Sequence, residues 1–184
     1  LLAYSSIGHM GYMLVAFLAG GNFAISAVTF YLVAYTFTIL GCFGVISALS
    51  GQNRDADAMD DFQGLYFRFP WLTGIFTVML LSLAGIPLTA GFVGKFYIMT
   101  AGVKDGLWVL IFFLVLSSGI GLFYYLRVII VMYRQPSGKE FTNEMPCKMA
   151  ILSSLSLTFL VIIVLSLGIL PGSFIELINR IIRS

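Results

Sequence analysis

An all-α bundle of transmembrane helices is the fold class that this sequence predicts, on three observations. The 184 residues are 60% hydrophobic and only 10% charged, whereas soluble domains carry about 25% charged residues. The mean hydropathy is +1.02, which is too high for a water-exposed surface. Several apolar runs reach the length of about 20 residues that a helix needs to cross a bilayer. Because lipid leaves the edges of an open sheet unpaired, we interpret these runs as helices.

The composition also excludes several classes of protein. A soluble enzyme or a disordered chain would carry far more charge. A nucleic-acid binder would need a basic surface, but 10 Lys and Arg residues oppose 8 Asp and Glu residues here. The cysteines, Cys42 and Cys147, suit neither a disulfide framework nor a metal site. The sequence lacks a Walker loop, a dinucleotide fingerprint, a haem ligand pair and an iron–sulfur cysteine set, so we expect no cofactor or metal in this chain.

The apolar runs predict five membrane segments within a bundle that covers residues 1–171. They are residues 1–19, 24–49, 70–103, 107–133 and 149–170. The chain starts inside an apolar run at Leu1 and has neither an initiator methionine nor the features of a signal peptide. We therefore expect it to be the C-terminal part of a longer polypeptide.

The third segment is predicted to be discontinuous. Its roughly 34 residues would measure about 50 Å as one straight helix, which is more than one crossing requires. Pro87 removes a backbone donor in the middle of the segment, and the expected hinge consists of Gly85, Pro87, Gly91 and Gly94. Irregular backbone in lipid survives only where it faces protein or water, although a simple packing kink is the alternative.

The C-terminal tail, residues 172–184, is predicted to form an amphipathic helix at the membrane interface or on a partner. A frayed apolar tail is the alternative. The apolar stripe comprises Phe174, Leu177, Ile178, Ile181 and Ile182, and the polar stripe comprises Glu176, Asn179, Arg180 and Arg183.

The orientation follows from the lysines and arginines of the loops, because cytoplasmic loops are enriched in both. The loops at residues 50–69 and 134–148 share one side of a five-segment bundle. They carry Arg54, Arg68, Arg134, Lys139 and Lys148, against Lys104, Arg180 and Arg183 on the other side. We therefore predict that the two long loops are cytoplasmic.

The most informative charge is Lys95, which lies in an apolar segment roughly 10 Å from the predicted helix end. A lysine in the membrane costs about 2.5–3.5 kcal/mol on insertion scales, so it usually has a function or a partner. A lysine amine that is removed from water can exchange its proton and act as a relay. The alternative is a side chain that extends to the near interface. For Arg127 we expect either such an extension or a structural pair with a neighbour.

Polar stripes on the other segments suggest a hydrogen-bonded path through the bundle. Ser5, His9 and Tyr12 share one helical face, and His9 can carry a proton at either ring nitrogen. Similar faces comprise Tyr31, Tyr35 and Thr38 in the second segment and Ser117, Gly121, Tyr124 and Tyr125 in the fourth. The alternative is that small and polar residues only allow close helix packing, with His9 bound to a backbone carbonyl.

These residues resemble the antiporter-like subunit family of bacterial-type respiratory complex I, the proton-translocating NADH:quinone oxidoreductase. Residues 2–12 are similar to one segment of that family, and residues 83–96 are similar to its second broken helix. The match is closest to one branch of the family, which has lysine where another branch has glutamate. It depends on Lys95, the following Phe96-Tyr97 pair and residues 124–128.

The resemblance implies a fold of fourteen transmembrane helices with two inverted five-helix repeats, of which this chain would be the last five. It implies that Lys95 carries the proton of the second half-channel and that His9 belongs to the central hydrophilic axis. Tyr124 or Tyr125 would lie near the outlet, and Tyr4 is a further candidate for the proton path. Because the first repeat and its glutamate are missing, this chain should not pump protons alone.

The resemblance also implies the setting. NADH, FMN, iron–sulfur clusters and quinone would bind to other subunits, and the partners would be other antiporter-like and membrane subunits of the complex in a bacterial inner membrane. Three alternatives remain: a subunit of a multi-subunit cation/proton antiporter, a subunit of a related membrane hydrogenase, and a structural scaffold in which Lys95 only pairs with a neighbour.

Overall fold

A computed structural model of the chain describes residues 1–50, 59–135 and 151–183. Over these ranges the regular elements are helices. They are α1 (Leu2–Ala19), α2 (Gly21–Leu49), a 3-10 turn (Met59–Phe62), α3 (Leu65–Arg68), α4 (Pro70–Ala84), α5 (Ala90–Lys104), α6 (Trp108–Tyr133), α7 (Ile151–Ile169) and α8 (Pro171–Arg183). The predicted loop residues Arg54, Lys139 and Lys148, and also Cys147, lie outside the described residues.

Within the described ranges, α1, α2 and α6 are each long and apolar enough to cross a membrane. The segments Ser153–Ile169 and Pro171–Ile182 meet that test only together, and they are bent by 84° at their junction. α4 is apolar but shorter. The all-helical architecture predicted from composition is therefore confirmed, and the number of membrane crossings stays a prediction.

Helix α2 lies at the centre of the packing, because α1, α4, α5, α7 and α8 all contact it. Its mostly apolar sequence allows burial on several sides, which suits a helix surrounded by others. The buried positions include Ala27, Phe30, Tyr31, Ala34, Thr38, Cys42 and Val45. Cys42 is thus an inert core residue.

The third predicted segment consists of two helices of 15 residues, α4 and α5, with residues 85–89 between them. Gly85 follows the last residue of α4 and has φ 83°. Its amide donates to the carbonyls of Leu81 and Ser82, and the Ile86 amide donates to the Leu81 carbonyl as well. This is a Schellman ending, in which glycine adopts a left-handed conformation without steric cost. Leu88 adopts φ 77° in the same connection, an unusual conformation for a bulky residue.

Two glycines of the predicted hinge lie inside α5 and serve close contacts instead. A Cβ on Gly91 would lie 1.8 Å from the Ser82 carbonyl oxygen, and a Cβ on Gly94 would lie 2.5 Å from Cδ2 of Tyr31. The connection between the two helices therefore contains fewer of these residues than the sequence suggested. Gly85 and the exposed Pro87 belong to it. Gly91 and Gly94 instead allow α5 to pack against α4 and α2.

The polar stretch before α4 contributes to the core as well. Phe62 and Leu65 are buried, and the Phe62 ring stacks on Phe76 of α4 with 5.7 Å between centroids. The Gly64 amide donates to the Val131 carbonyl of α6 at 3.3 Å. The second half of the predicted loop is therefore packed against α4 and α6.

The last two helices return to the centre of the bundle. A Cβ on Gly168 of α7 would lie 2.3 Å from the Leu88 carbonyl oxygen, so α7 packs directly on the connection between α4 and α5. After the bend, α8 places Phe174 5.9 Å from Phe30 of α2, measured between ring centroids. Ser26 Oγ of α2 donates to Asn179 Oδ1 at 2.7 Å. α8 begins at Pro171, one residue before the predicted tail.

Candidate functional site

Lys95 lies at the centre of the candidate site, on α5, and its side chain is only 5% exposed. Its Nζ donates to the carbonyl oxygens of Leu83 at 2.8 Å and Ala84 at 3.0 Å, and to Ser118 Oγ of α6 at 3.0 Å. The carbonyls are free because a helix end leaves its last carbonyls without intrahelical partners. The break after Ala84 thus creates the acceptors that bind the lysine.

The surroundings of Lys95 suit a cation. The carboxyl end of a helix carries a partial negative charge, and α4 directs that end at the amine. The ring of Tyr12 is also 5.3 Å from Nζ, measured to its centroid, which is within the range of a cation–π contact. Gly85 provides the space, because a Cβ there would lie 3.2 Å from Nζ.

His9 of α1 lies in a cluster of tyrosines from three helices. Its Nδ1 is 2.5 Å from the hydroxyl of Tyr31 on α2, and its Nε2 is 3.3 Å from the hydroxyl of Tyr125 on α6. The Tyr125 hydroxyl also hydrogen-bonds with Ser5, and the Tyr35 ring is 4.9 Å from the histidine ring. His9 therefore bonds to tyrosine hydroxyls and not to a backbone carbonyl.

A cavity of about 490 Å³ connects the lysine with this cluster. It contains all five side chains that the sequence proposed for a proton path: Tyr4, His9, Lys95, Tyr124 and Tyr125. They differ in depth, since Tyr4 is 82% exposed and Tyr124 is 48% exposed, whereas Tyr125 is buried. Tyr4 and Tyr124 thus lie at the rim, and Tyr125 lies deep in the site.

A second cavity, of about 210 Å³, also borders the lysine. Its lining comes from the helix break and from α6, and includes Gly85, Ile86, Leu114 and Gly119. Of the residues that line these two cavities, Lys95 and Ser118 alone line both. The hydrogen-bonded pair therefore lies where the two cavities meet.

The helix break is held by the hydroxyl of Ser82, which no sequence motif singled out, together with Thr38 from the polar face of the second segment. Ser82 Oγ accepts a hydrogen bond from the Gly91 amide at 3.2 Å and is also 3.2 Å from Thr38 Oγ1. One side chain thus joins the end of α4 to the start of α5 and to the central helix. Such contacts fix the relative positions of Lys95 and its acceptors.

Ser118, which accepts a hydrogen bond from Lys95, was not among the residues predicted from the sequence. The available signal was a pair of serines in an otherwise apolar helix, of which only Ser117 was singled out. Ser117 Oγ lies 3.1 Å from both the Tyr12 hydroxyl oxygen and the Leu114 carbonyl oxygen, and its single proton can go to one of them at a time. Among the residues that the structure describes, no group of three or more His, Cys, Asp or Glu side chains could hold a metal ion.

An apolar helical bundle with a buried lysine at a helix break is typical of membrane transport proteins. The chain belongs to the transmembrane family of NADH:quinone oxidoreductases and Mrp antiporters, whose sequence profile matches residues 1–121. This confirms the family that the sequence motifs indicated.

Two curated relatives are named NADH-quinone oxidoreductase subunit N, the branch of the family to which the motif around Lys95 pointed. One, from Methylococcus capsulatus, is 53% identical over 142 residues, which cover 75% of this chain and 29% of the relative. The other, from Ectopseudomonas mendocina, is 54% identical over 140 residues, which cover 74% of this chain and 28% of the relative. The chain thus spans less than a third of the length of these relatives.

Two solved structures share the fold. A chain of respiratory complex I from Thermus thermophilus, solved with bound aureothin, has 31% identity and a TM-score of 0.79 over 96% of this chain and 39% of its own length. A chain of the Mrp complex from Dietzia sp. has 19% identity and a TM-score of 0.81 over 97% of this chain and 41% of its own length. The second likeness concerns the fold alone.

Proposed function

We propose that this chain is part of a proton-translocating membrane subunit of NADH:quinone oxidoreductase, with Lys95 as the residue that carries the proton. The observation behind this proposal is the buried Lys95 amine, which has three protein acceptors and lies beside a cavity shared with His9 and Tyr125. The names of the relatives that are more than half identical support the choice of enzyme.

In this proposal the cavity is a hydrated half-channel. It is large enough for several waters, since each occupies about 30 Å³ in the liquid. Waters and hydroxyls would carry the proton between His9 and Lys95. A unit charge that arrives about 10 Å from the amine changes its energy by about 2 kcal/mol at an effective dielectric constant of 20. That change alters the ratio of charged to neutral lysine more than tenfold, so a charge movement elsewhere can drive the transfer.

The wider architecture belongs to the same proposal. The chain would contribute the last five of fourteen transmembrane helices, with α4 and α5 together forming one discontinuous crossing. Residues 50–69 and 134–148 would face the cytoplasm of a bacterial cell. Redox cofactors would bind to other subunits, and the neighbouring membrane subunits of the complex would be the partners.

The test is Lys95→Ala in the full-length subunit, in membrane vesicles supplied with NADH. We expect proton pumping and coupled NADH oxidation to fall at least about tenfold while the complex still assembles, because proton transfer through a positioned group contributes at least that much. Lys104→Ala is the matched control, since Lys104 is exposed at the end of the same helix and its Nζ lies over the ring of Phe23. Normal pumping in the Lys95 variant would leave the lysine with a structural role only.

A cation/proton antiporter is the second candidate, because the family includes Mrp antiporters. Both functions use a buried lysine that changes its protonation state, so the lysine variant does not separate them. Transport driven by a sodium gradient in vesicles without NADH would favour the antiporter. Copurification with soluble hydrogenase subunits would favour a membrane hydrogenase.

A further inference from the structure

Ser118 differs from the other two acceptors of Lys95 in its chemistry. A charged lysine amine has three N–H donors, and here each donor has an acceptor within 3.0 Å. The Leu83 and Ala84 carbonyls can only accept hydrogen bonds. The Ser118 hydroxyl can both accept and donate, so it alone among the three can exchange a proton with the amine.

The same three groups also satisfy the neutral amine without movement of any heavy atom. A neutral amine has two N–H donors and one lone pair. The two carbonyls can keep the two donors, and the serine hydroxyl can rotate and donate to the lone pair. With a residue that has no hydroxyl at position 118, the lone pair of a buried neutral amine would lose its partner, which is costly in a low-dielectric site.

From this geometry we infer that Ser118 is the relay through which Lys95 exchanges its proton with water in the adjoining cavities, an inference that rests on the proposed function of Lys95. In the release step one Nζ–H bond breaks and its proton forms a new bond to Ser118 Oγ. The former hydroxyl proton of Ser118 passes to a water molecule, and the serine then donates back to the neutral amine. One proton moves from lysine to water, and no atom changes its oxidation state.

The position of Ser118 supports this role. The residue lines both the 490 Å³ cavity and the 210 Å³ cavity, so its hydroxyl can contact water in either one. Its neighbour Ser117 lines the larger cavity and uses its hydroxyl for the Leu114 carbonyl and the Tyr12 hydroxyl. The Tyr12 hydroxyl interacts with both serines. Ser118 is distinguished by its contact with the lysine, because its Oγ lies 3.0 Å from Nζ of Lys95.

The experiment compares four variants of the full-length subunit in NADH-supplied vesicles: Ser118→Ala, Ser118→Thr, Ser166→Ala and Lys95→Ala. The readout is the rate of NADH-driven proton pumping per assembled complex. We expect Ser118→Ala to reduce pumping at least about tenfold, the effect of one lost hydrogen bond to a charged group. Ser118→Thr keeps a hydroxyl and should pump. Ser166→Ala is the matched control, because Ser166 is exposed and donates to the Ile163 carbonyl of its own helix.

Each result has one meaning. Normal pumping in Ser118→Ala together with loss in Lys95→Ala would overturn the role of Ser118 and leave the proposed function intact. Normal pumping in Lys95→Ala would overturn both. Loss in both Ser118 variants with normal assembly would show that the size of serine matters and not its hydroxyl, which also overturns the inference. If Ser118→Ala does not assemble, Ser118→Cys takes its place as the test variant. A thiol is a weak donor and acceptor, so we expect the pumping rate of Ser118→Cys to lie between those of the unchanged subunit and Lys95→Ala. Full pumping by Ser118→Cys would contradict the relay.

Discussion

At the scale of single residues, the site depends on side chains that four different helices contribute. Lys95 and His9 could be selected from the sequence because charged and titratable residues are rare in apolar segments. Their partners could not, since the pairing of Lys95 with Ser118 and of His9 with Tyr31 depends on the register between helices. A periodic pattern predicts which face of a helix is polar, but not which neighbour that face meets.

The hydrogen bond between His9 and Tyr31 gives a prediction at this scale. Tyr31→Phe leaves Nδ1 of a buried histidine without its 2.5 Å partner, and we expect a loss of about 1–3 kcal/mol in stability. The thermal unfolding midpoint of the purified subunit measures this loss. Tyr66→Phe is the control, because that ring is 44% exposed. Equal thermal unfolding midpoints for Tyr31→Phe and Tyr66→Phe would show that this hydrogen bond does not stabilise the protein.

At the scale of elements, the position of the break between α4 and α5 could be predicted from the sequence. The part that each glycine plays in it could not. Gly85 and Pro87 indicated where the segment is interrupted, because each disfavours a continuing helix. Gly91 and Gly94, which were also assigned to the hinge, lie within α5 and not in the connection. A glycine can provide either backbone freedom or space for a neighbour, and the one-dimensional pattern does not distinguish these uses.

The close contact at Gly91 predicts a large effect of a small substitution. Gly91→Ala would place a Cβ 1.8 Å from the Ser82 carbonyl oxygen, and backbone on both sides leaves no flexible group to yield. We expect a loss of at least about 1–3 kcal/mol, as for other overpacked sites, visible as reduced assembly and a lower unfolding midpoint.

Gly11→Ala is the matched control for this element, because nothing lies within 4 Å of a Cβ at that position in α1. It should be neutral or stabilising by about 0.5–1 kcal/mol, the usual preference of a helix for alanine over glycine. Equal destabilisation by both substitutions would contradict the packing role of Gly91.

At the scale of the whole molecule, composition alone was enough for the fold class, whereas the arrangement of the last helices was not. The two stripes of residues 172–184 predicted a helix, and the structure contains α8 from Pro171 to Arg183. Its contact with α2, through Phe174 and Asn179, joins positions about 150 residues apart in the chain. No local pattern contains that information.

The docking of α8 on α2 can be tested by hydrogen exchange. Phe174→Ala removes the ring that packs on Phe30, so we expect faster amide exchange in α8 with little change in α1, because the helix loses its anchor and opens locally more often. Leu177→Ala on the exposed side of α8 should leave exchange nearly unchanged. Similar acceleration by both substitutions would mean that Phe174 is not the anchor.

The contact of Gly168 with the connection after α4 also has a consequence for protein design. A Cβ at position 168 would lie 2.3 Å from the Leu88 carbonyl oxygen and 2.5 Å from the Thr89 carbonyl carbon, so the interrupted helix is not a self-contained module. A designer who transplants residues 82–95 into another helical scaffold must also supply a neighbouring helix with a glycine at the point of contact. The transferable unit comprises two distant pieces of sequence.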